Sequence, residues 1–289
     1  MTYSELYTQS RNALSAGGVE SPAHEARTLI EALLGLDRIA LMDKGNCQVN
    51  DRDEKRLFDA VRRRAQGYPL QYLLKSWSFM GRDYVVGEGV LIPRDDTEVA
   101  VNTCYESLRG LHSPDILELC SGSGIIAVTL SKLIPDSRIT AIELSDSAFA
   151  YLEKNVQRHD CRNIKLIHGD VFRDHVAVSR ESFDALISNP PYIATGELHF
   201  LQREVGYEPV DALNGGEDGL DFYRCIASDW LPSLKQGGSI TLEIGEEQAD
   251  AVSELLYNNG IENIRVIKDI QNLDRVIFGT KKGNYCSSP

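Results

Sequence analysis

The sequence predicts an α/β protein in which a small helical domain precedes a doubly wound, mostly parallel β-sheet. Apolar residues recur at helical spacing through the first 75 residues, whereas short apolar runs alternate with helical segments from about residue 95 onward. The second rhythm is typical of a parallel sheet with helices on both faces. We therefore place a helical domain at residues 1–75, an extended or hairpin linker at 76–94 and the sheet domain at 95–289.

The composition is that of a globular protein and argues against several other classes. Hydrophobic residues make up 42% and charged residues 25% of the 289 residues, which argues against wholesale disorder. No apolar run is long enough to span a membrane, and the first residues lack the basic and apolar segments of a signal peptide. Six scattered cysteines without a Cys-x-x-Cys pair favour free thiols in a reducing cytoplasm over zinc or disulfides.

Acidic residues are concentrated in the second part of the chain. The chain has 30 basic and 43 acidic residues, of which 13 basic and 12 acidic residues precede residue 95. Residues 95–289 therefore contain 17 basic and 31 acidic residues, a net charge of −14. Such a surface should repel a phosphate backbone. We therefore expect no direct contact between this part of the protein and nucleic acid.

Capping signals mark the first two predicted helices. Thr2 and Glu5 have the spacing of a capping box, and Ser21 followed by Pro22 is typical of a helix start. Apolar residues follow each signal at helical spacing. These segments contain no cluster of candidate catalytic residues, so we interpret them as part of a small helical module.

A third helix is predicted to open at Asp51. It carries an arginine run at residues 62–64, which we place on the solvated face of the helix, with a contact to a partner as the alternative. Beyond it, aromatic residues and Gly81 and Gly87 suggest that residues 68–94 are extended and form a hairpin. We interpret this segment as a connector between the two domains.

Seven strands are predicted in the sheet domain. Five of them cover residues 116–119, 138–142, 164–167, 183–187 and 239–244, and a closing pair covers 264–267 and 275–278. Helices at 125–133 and 148–158 separate the first three strands. In sheets of this kind ligands bind beyond the carboxyl ends of the strands. The residues just after each strand are therefore the candidates for a functional site.

A glycine-rich turn follows the first strand of the sheet. The segment from the strand end through the turn is Glu118, Leu119, Cys120, Ser121, Gly122, Ser123 and Gly124. Gly122 and Gly124 would let the backbone approach a ligand closely, and the helix behind them offers free N–H groups. With Ala127 they also match the loose dinucleotide fingerprint. A glycine turn without a ligand is the alternative interpretation.

Acidic residues follow the second and third strands. Glu143 lies 19 residues beyond Gly124, where a carboxylate can accept hydrogen bonds from both hydroxyls of a ribose. Asp170, followed by Val171, can accept from an exocyclic amine such as adenine N6. Glu143 could instead be a surface residue, and Asp170 could cap the next helix. The pattern indicates a nucleoside site but does not choose between methyltransferases and dehydrogenases.

The tetrapeptide after the fourth strand points to nitrogen methylation. It consists of Asn189, Pro190, Pro191 and Tyr192. An amide or adenine nitrogen is a poor nucleophile, so both of its N–H bonds must be gripped to aim its lone pair at the methyl carbon. The Asn189 side-chain oxygen and a proline carbonyl can do this, Pro190 leaves no competing backbone N–H, and Tyr192 supplies a flat wall. Such positioning supplies several kcal/mol without an acid or base.

These motifs resemble the class I S-adenosylmethionine-dependent methyltransferases, and more closely the protein-(glutamine-N5) methyltransferases of peptide-chain release factors (the HemK/PrmC family). The resemblance covers nearly the whole chain. Further motifs in the family's order are Ile92-Pro93-Arg94, Thr97-Glu98, Tyr207-Glu208-Pro209, Ala212-Leu213, Gly215-Gly216-x-Asp218-Gly219-Leu220, Leu242-Glu243-Ile244-Gly245 with Gln248, and Asp274-Arg275. The chain departs from the family's pattern at the first glycine of the loop, which is Cys120, and at Val171, where relatives often have a larger side chain.

The resemblance implies a Rossmann-like class I methyltransferase sheet, parallel with an antiparallel closing strand. It implies methyl transfer from S-adenosylmethionine to the side-chain amide nitrogen of the Gln in a release factor's Gly-Gly-Gln motif, with the helical domain recognising the protein substrate. Neither a metal nor a membrane is implied. The candidate cofactor-binding residues are Glu118, Cys120, Ser121, Gly122, Ser123, Gly124, Glu143, Asp170, Val171 and Asn189; Glu118 would lie near the methionine amino group. The candidate catalytic residues are Asn189, Pro190, Pro191 and Tyr192.

Three other functions are compatible with parts of the sequence. An N6-adenine DNA or RNA methyltransferase would use the same tetrapeptide, but the charge of residues 95–289 disfavours it. A nicotinamide oxidoreductase would explain the glycine turn and Glu143 and leave residues 189–192 without a role. A non-enzymatic binding module would explain the helical domain alone.

Overall fold

The computed structural model describes residues 1–283 and divides into two compact units. The first unit comprises residues 1–77, 86–88 and 201–207, and the second comprises 78–85, 89–200 and 208 onward. Cys286 and the end of the predicted sheet domain lie outside the described residues. The other five cysteines are free thiols.

The first unit is helical, as the sequence predicted. Its helices are α1 (Tyr3–Ala16), α2 (Pro22–Leu34), α3 (Arg38–Asp43), α4 (Asp51–Ala65) and α5 (Leu70–Leu74). The capping box at α1 is confirmed, because the Thr2 hydroxyl accepts from the Glu5 N–H at 3.3 Å and the Glu5 carboxylate accepts from the Thr2 N–H at 2.8 Å. Apolar faces of α1, α2 and α4 meet in one core. Neither α3 nor α5 was predicted, and α5 replaces the first part of the segment predicted to be extended.

Arg64 corrects the prediction that the arginine run is solvated. Arg62 and Arg63 do lie on the exposed side, but Arg64 is only 5% exposed. Its guanidinium donates to the Glu25 carboxylate at 2.5 and 3.0 Å and pairs with Glu204 at 2.7 Å. The reason is helical periodicity: position 64 lies two turns after Leu57 and so falls on the buried stripe of α4.

The second unit is built on a seven-stranded sheet, and a small hairpin of β1 (Ser76–Phe79) and β2 (Arg82–Val85) precedes the sheet in the chain. The strands of the sheet are β3 (Asp115–Leu119), β4 (Arg138–Glu143), β5 (Ile164–His168), β6 (Phe183–Ser188), β7 (Leu234–Glu243), β8 (Ile261–Lys268) and β9 (Asp274–Lys281). Their order is β5-β4-β3-β6-β7-β9-β8, with β3 to β7 parallel and β9 antiparallel to both neighbours. The predicted strands, the parallel order and the antiparallel closing pair are confirmed.

Helices cover both faces of this sheet. They are α6 (Thr97–Ser107), α7 (Ile125–Leu133), α8 (Asp146–Arg158), α9 (Asp221–Cys225) and α10 (Ala249–Asn258). Alternate strand residues enter two separate hydrophobic cores, one on each face of the sheet. Leu117 and Leu186 belong to the core that contains Trp230, and Ile116 and Ala185 belong to the second core. The second core also contains Phe79 and Tyr84 of the hairpin. Within residues 1–283, no helix is both long and apolar enough to cross a membrane.

The sheet order brings the candidate loops to one edge. Strand β3 lies between β4 and β6, so the chain leaves β3 toward one side and later returns to pair on the other. The loops after β3 and β6 therefore diverge and leave a crevice beyond the carboxyl ends of the strands. This is the position of the candidate site.

The Arg64 cluster gives a stability prediction for the helical unit. Removing the mostly buried partner in Glu25→Ala should lower the free energy of opening of α2 and α4 by about 3 kcal/mol, because a buried guanidinium loses its bidentate acceptor. Glu204→Ala removes the half-exposed partner and should cost less than about 1 kcal/mol. Hydrogen exchange of the α2 and α4 amides measures both losses. Equal losses in the two variants would contradict the burial argument.

Candidate functional site

A cavity of about 360 Å³ opens at the carboxyl ends of β3 to β6. Seven of the residues predicted from the sequence lie on its wall: Cys120, Gly122, Glu143, Asp170, Val171, Asn189 and Pro191. A smaller adjoining cavity adds Ser121 and Ser123. Neither wall includes Glu118, Gly124, Pro190 or Tyr192. The structure therefore brings most of the candidate residues together around one space large enough for a small molecule.

The glycine turn has the backbone that its sequence suggested. Gly122 and Gly124 have φ values of 55° and 82°, in the left-handed region that favours glycine. A Cβ at Gly122 would meet no atom within 4 Å, whereas one at Gly124 would lie 2.5 Å from a Leu152 methyl carbon. Gly124 thus allows α8 to pack against the turn, and Gly122 leaves open space beside the cavity.

Cys120 occupies a backbone position suited to glycine. Its φ of 57° is left-handed, which costs an L-residue with a side chain about 1 kcal/mol. The residue lines both cavities. Burial raises the pKa of the Cys120 thiol well above its usual range, so the thiol is neutral at physiological pH.

Glu118 lies beneath the turn. The residue has no exposed surface, and neither carboxyl oxygen has a hydrogen-bond partner among the described residues. Complete burial raises the pKa of Glu118 to about 8 against the opposing effect of the nearby Ser121 hydroxyl and Ala127 N–H, so the group is mostly protonated at neutral pH. Its contact with the methionine amino group, expected from the sequence, stays a prediction.

Glu143 is fixed in place at the end of β4. One carboxylate oxygen accepts from the Gly122 N–H and the other from the Ser145 N–H, each at 2.8 Å. The side chain therefore ties the glycine turn to the start of α8. Burial raises the pKa of Glu143, and the backbone N–H groups of Ser145, Gly122 and Leu144 oppose that shift. Each oxygen keeps a further lone pair with which to accept from a ligand.

Two phenylalanines on the cavity wall were not predicted. Phe172, two residues after Asp170, lies 4.7 Å from Phe222, ring centre to ring centre. Asp170 lines the cavity and also accepts from the Phe172 N–H at 2.9 Å, so it holds the turn that presents this ring. Phe172 could have been predicted from its position next to the Asp170 motif. Phe222 lies in α9, far away in the sequence, and reaches the cavity wall only through the fold.

Two further wall segments are joined through Glu208. The segments are residues 89–91 and 209–212, which were not predicted to line the site. Buried Glu208 accepts from the Ile92 N–H at 2.9 Å and from the Arg94 guanidinium. The sequence contains both ends of this link as separate motifs, more than a hundred positions apart. Their contact explains why the two segments share one wall.

The loop after β6 is braced by Gln248. Its side-chain N–H donates to the Tyr192 carbonyl at 2.9 Å and to the Gly219 carbonyl at 3.2 Å, and its oxygen accepts from the Gly245 N–H at 2.9 Å. Tyr192 packs against the buried core, and burial raises the pKa of its phenol. Its expected role as a flat wall for a substrate stays a prediction.

Asn189 presents its carboxamide at the cavity. Its Nδ2 donates to the Thr97 hydroxyl at 3.1 Å, and no described residue hydrogen-bonds its Oδ1. The site thus offers an unpartnered amide oxygen next to a proline-fixed backbone. Within residues 1–283, no group of three or more His, Cys, Asp or Glu residues is placed to hold a metal ion.

Comparison with known proteins agrees with this geometry. Residues 5–74 match the PrmC N-terminal domain and residues 95–205 match the methyltransferase small domain. A release factor glutamine methyltransferase of Geobacter sulfurreducens is 38% identical over 279 residues, which cover 96% of each chain. Another, of Clostridium acetobutylicum, is 35% identical over 261 residues, 90% of this chain and 91% of the relative.

A solved structure supports the fold. A methyltransferase from Pyrococcus furiosus has a TM-score of 0.52 and 19% identity over 71% of this chain and 91% of its own. At that identity the likeness concerns the sheet and its helices. The near full-length sequence relatives identify the family, and this chain belongs to the release factor glutamine methyltransferases.

Proposed function

We propose that this protein methylates the side-chain amide nitrogen of the glutamine in a release factor's Gly-Gly-Gln motif, with S-adenosylmethionine as the methyl donor. The observation that carries this proposal is Asn189, which lines a cavity at the switch point of the sheet and whose Oδ1 has no hydrogen-bond partner among the described residues. The relatives at 31–38% identity are named for this activity. Release factors act in the cytoplasm, where we propose that the protein works.

The cavity fits the donor. Gly122 and the backbone around it leave room for close approach, and Glu143 keeps acceptor lone pairs for a ribose. Phe172 and Phe222 supply apolar ring surface beside Asp170 for an adenine. S-adenosylmethionine, when bound, supplies an electrophilic methyl group on a positively charged sulfur.

The acceptor amide needs orientation more than it needs a dedicated base, because the new N–C bond forms as the methyl–sulfur bond breaks and the methylated nitrogen then loses its extra, strongly acidic proton to water. A carboxamide nitrogen shares its lone pair with its carbonyl, so it reacts only when its N–H bonds are held and the lone pair is aimed. Asn189 Oδ1 can accept one N–H and a backbone carbonyl of the proline pair can accept the other. Gln248 holds the backbone of this loop rigid. Alignment of this kind can account for several kcal/mol of the barrier.

Methyl transfer with a radioactive donor tests this function. Purified release factor and duplex DNA are incubated separately with the protein and labelled S-adenosylmethionine. We expect label on the release factor, at the glutamine of Gly-Gly-Gln, and none on the DNA. Label on the adenines of DNA, with none on the release factor, would instead support the N6-adenine methyltransferase.

We also propose that the helical unit recognises the protein substrate. It contributes no residue to the cavity wall and matches a domain distinct from the methyltransferase domain. Removing residues 1–77, and keeping Phe79 and Tyr84 for the core they pack in, should preserve the affinity for S-adenosylmethionine. Turnover on intact release factor should fall at least tenfold, measured by label transfer. Undiminished turnover would contradict this role.

Glu143→Ala should weaken the binding of S-adenosylmethionine. Loss of charged hydrogen bonds to a ribose costs about 1.5–3 kcal/mol, or roughly ten- to a hundred-and-fifty-fold in Kd. Titration calorimetry measures the change. Asp146→Ala, which removes a nearby carboxylate that is almost fully exposed, is the matched control and should leave the Kd unchanged. Equal Kd values for parent and Glu143→Ala would exclude a ribose contact.

Asn189→Ala should damage turnover more than donor binding. Losing one orienting hydrogen bond and the alignment it gives should cost about 2–4 kcal/mol, or roughly thirty- to a thousand-fold in single-turnover rate. The Kd for S-adenosylmethionine should stay within about tenfold of the parent, because most of the cavity wall belongs to other loops. Higher release-factor concentrations should not restore the rate. A parent-like single-turnover rate would remove the amide-gripping role.

A further inference from the structure

A buried chain of two hydrogen bonds runs from Asn189 into the protein. Asn189 Nδ2 donates to Thr97 Oγ1 at 3.1 Å, and Thr97 Oγ1 donates to Glu243 Oε2 at 2.7 Å. Thr97 and Glu243 are each about 1% exposed. Thr97 begins α6 and Glu243 ends β7, the parallel neighbour of β6. Three separate elements therefore meet behind the carboxamide.

The chain has a fixed polarity as long as Glu243 is ionised. An ionised carboxylate only accepts hydrogen bonds, so the single hydroxyl proton of Thr97 goes to Glu243. The oxygen of Thr97 can then only accept from Asn189, which must turn its NH₂ group toward Thr97. The carboxamide oxygen is thereby left on the opposite side, where Asn189 borders the cavity.

We propose that Thr97 and Glu243 are positioning residues that fix the orientation of the Asn189 carboxamide, so that its oxygen and not its NH₂ group meets the acceptor amide. This inference rests on the proposed function, because it assigns the oxygen to the glutamine of the substrate. A flipped Asn189 would present a donor to another donor and could not grip the acceptor nitrogen.

A buried Glu243 carboxylate lowers the stability of the fold, so its presence calls for an explanation. The described residues contain no basic group within 4 Å of its carboxylate, and Arg275 pairs instead with Asp269 at 3.1 Å and Asp96 at 3.6 Å. A buried carboxylate held mainly by one hydroxyl destabilises a fold relative to an apolar residue of the same size. A role in setting the direction of the Thr97 hydrogen bond explains its presence.

The polarity should depend on pH. Burial raises the pKa of Glu243 to about 7, opposed by the Thr97 hydrogen bond and the charge of Arg275. The other groups that face it are Asp96, Arg94 and the Tyr192 and Tyr223 phenols. Protonated Glu243 can donate to Thr97, which frees the Thr97 proton for Asn189 Oδ1. Turnover should therefore fall as the pH drops through about 7.

Two variants at position 97 and one control test the positioning role. Thr97→Val keeps the shape and removes the hydroxyl, and should lower kcat about 10- to 100-fold. The Kd for S-adenosylmethionine and the KM for release factor should stay within about threefold. Thr97→Ser restores the hydroxyl and should recover most of kcat. The control is Thr129→Val, which loses a buried hydrogen bond to Tyr84 at 2.7 Å. It should lose about as much stability as Thr97→Val and yet keep the parent kcat.

Glu243→Gln and a spectroscopic readout complete the test. The carboxamide that this substitution introduces can donate to Thr97 at any pH. Turnover of the variant should therefore be low at every pH, and its pH profile should lack the fall near pH 7. In ¹⁵N spectra, the Asn189 side-chain NH₂ pair, identified by its absence in Asn189→Ala, should shift and exchange faster in Thr97→Val.

The outcomes separate the two proposals. Parent-like kcat and an unshifted NH₂ pair in Thr97→Val would overturn the positioning role and leave the proposed function standing. A parent protein that does not methylate release factor would instead overturn the proposed function, whatever the spectra show.

Discussion

The candidate site depends on the parallel pairing of β3 with β4 on one side and β6 on the other. The chain leaves β3 toward β4 and later returns to form β6 on the other side, and the two diverging loops open a crevice that no single loop could form. The glycine turn after β3 and the proline-fixed loop after β6 are its two rims. Every residue proposed to bind the donor or orient the acceptor follows from that arrangement, including those contributed by α6 and α9.

Three glutamates near the carboxyl ends of the strands show how burial assigns different roles to one side chain. Glu143 keeps two backbone N–H donors and an open face, which suits hydrogen bonding to a ligand. Glu243 has a single hydroxyl donor and a distant arginine, which suits the orientation of another group. Glu118 is fully buried, neither of its oxygens makes a well-formed hydrogen bond to a described residue, and the group is mostly neutral. The pKa of each carboxyl is raised by burial, and its hydrogen bonds decide what the group can do.

The sequence predicted most of the sheet and the loops that carry chemistry, because periodicity and strand-end motifs are local signals. It could not predict contacts that the fold brings together. The Thr97 hydroxyl meets Asn189 across 92 positions of sequence, and Glu208 joins two wall segments from separate motifs. Arg64 was misplaced because an arginine run suggests solvent, although its position on the α4 stripe favoured burial. Phe222 reaches the cavity only through the packing of α9.

The proposed reaction requires the Asn189 oxygen to hold the acceptor amide. A crystal structure of the parent protein with S-adenosylhomocysteine and a peptide containing Gly-Gly-Gln would show whether this contact forms. We expect Asn189 Oδ1 within about 3.2 Å of the glutamine Nε2, with Asn189 Nδ2 still donating to Thr97. A glutamine amide bound elsewhere, or an Asn189 whose NH₂ group faces the peptide, would contradict it.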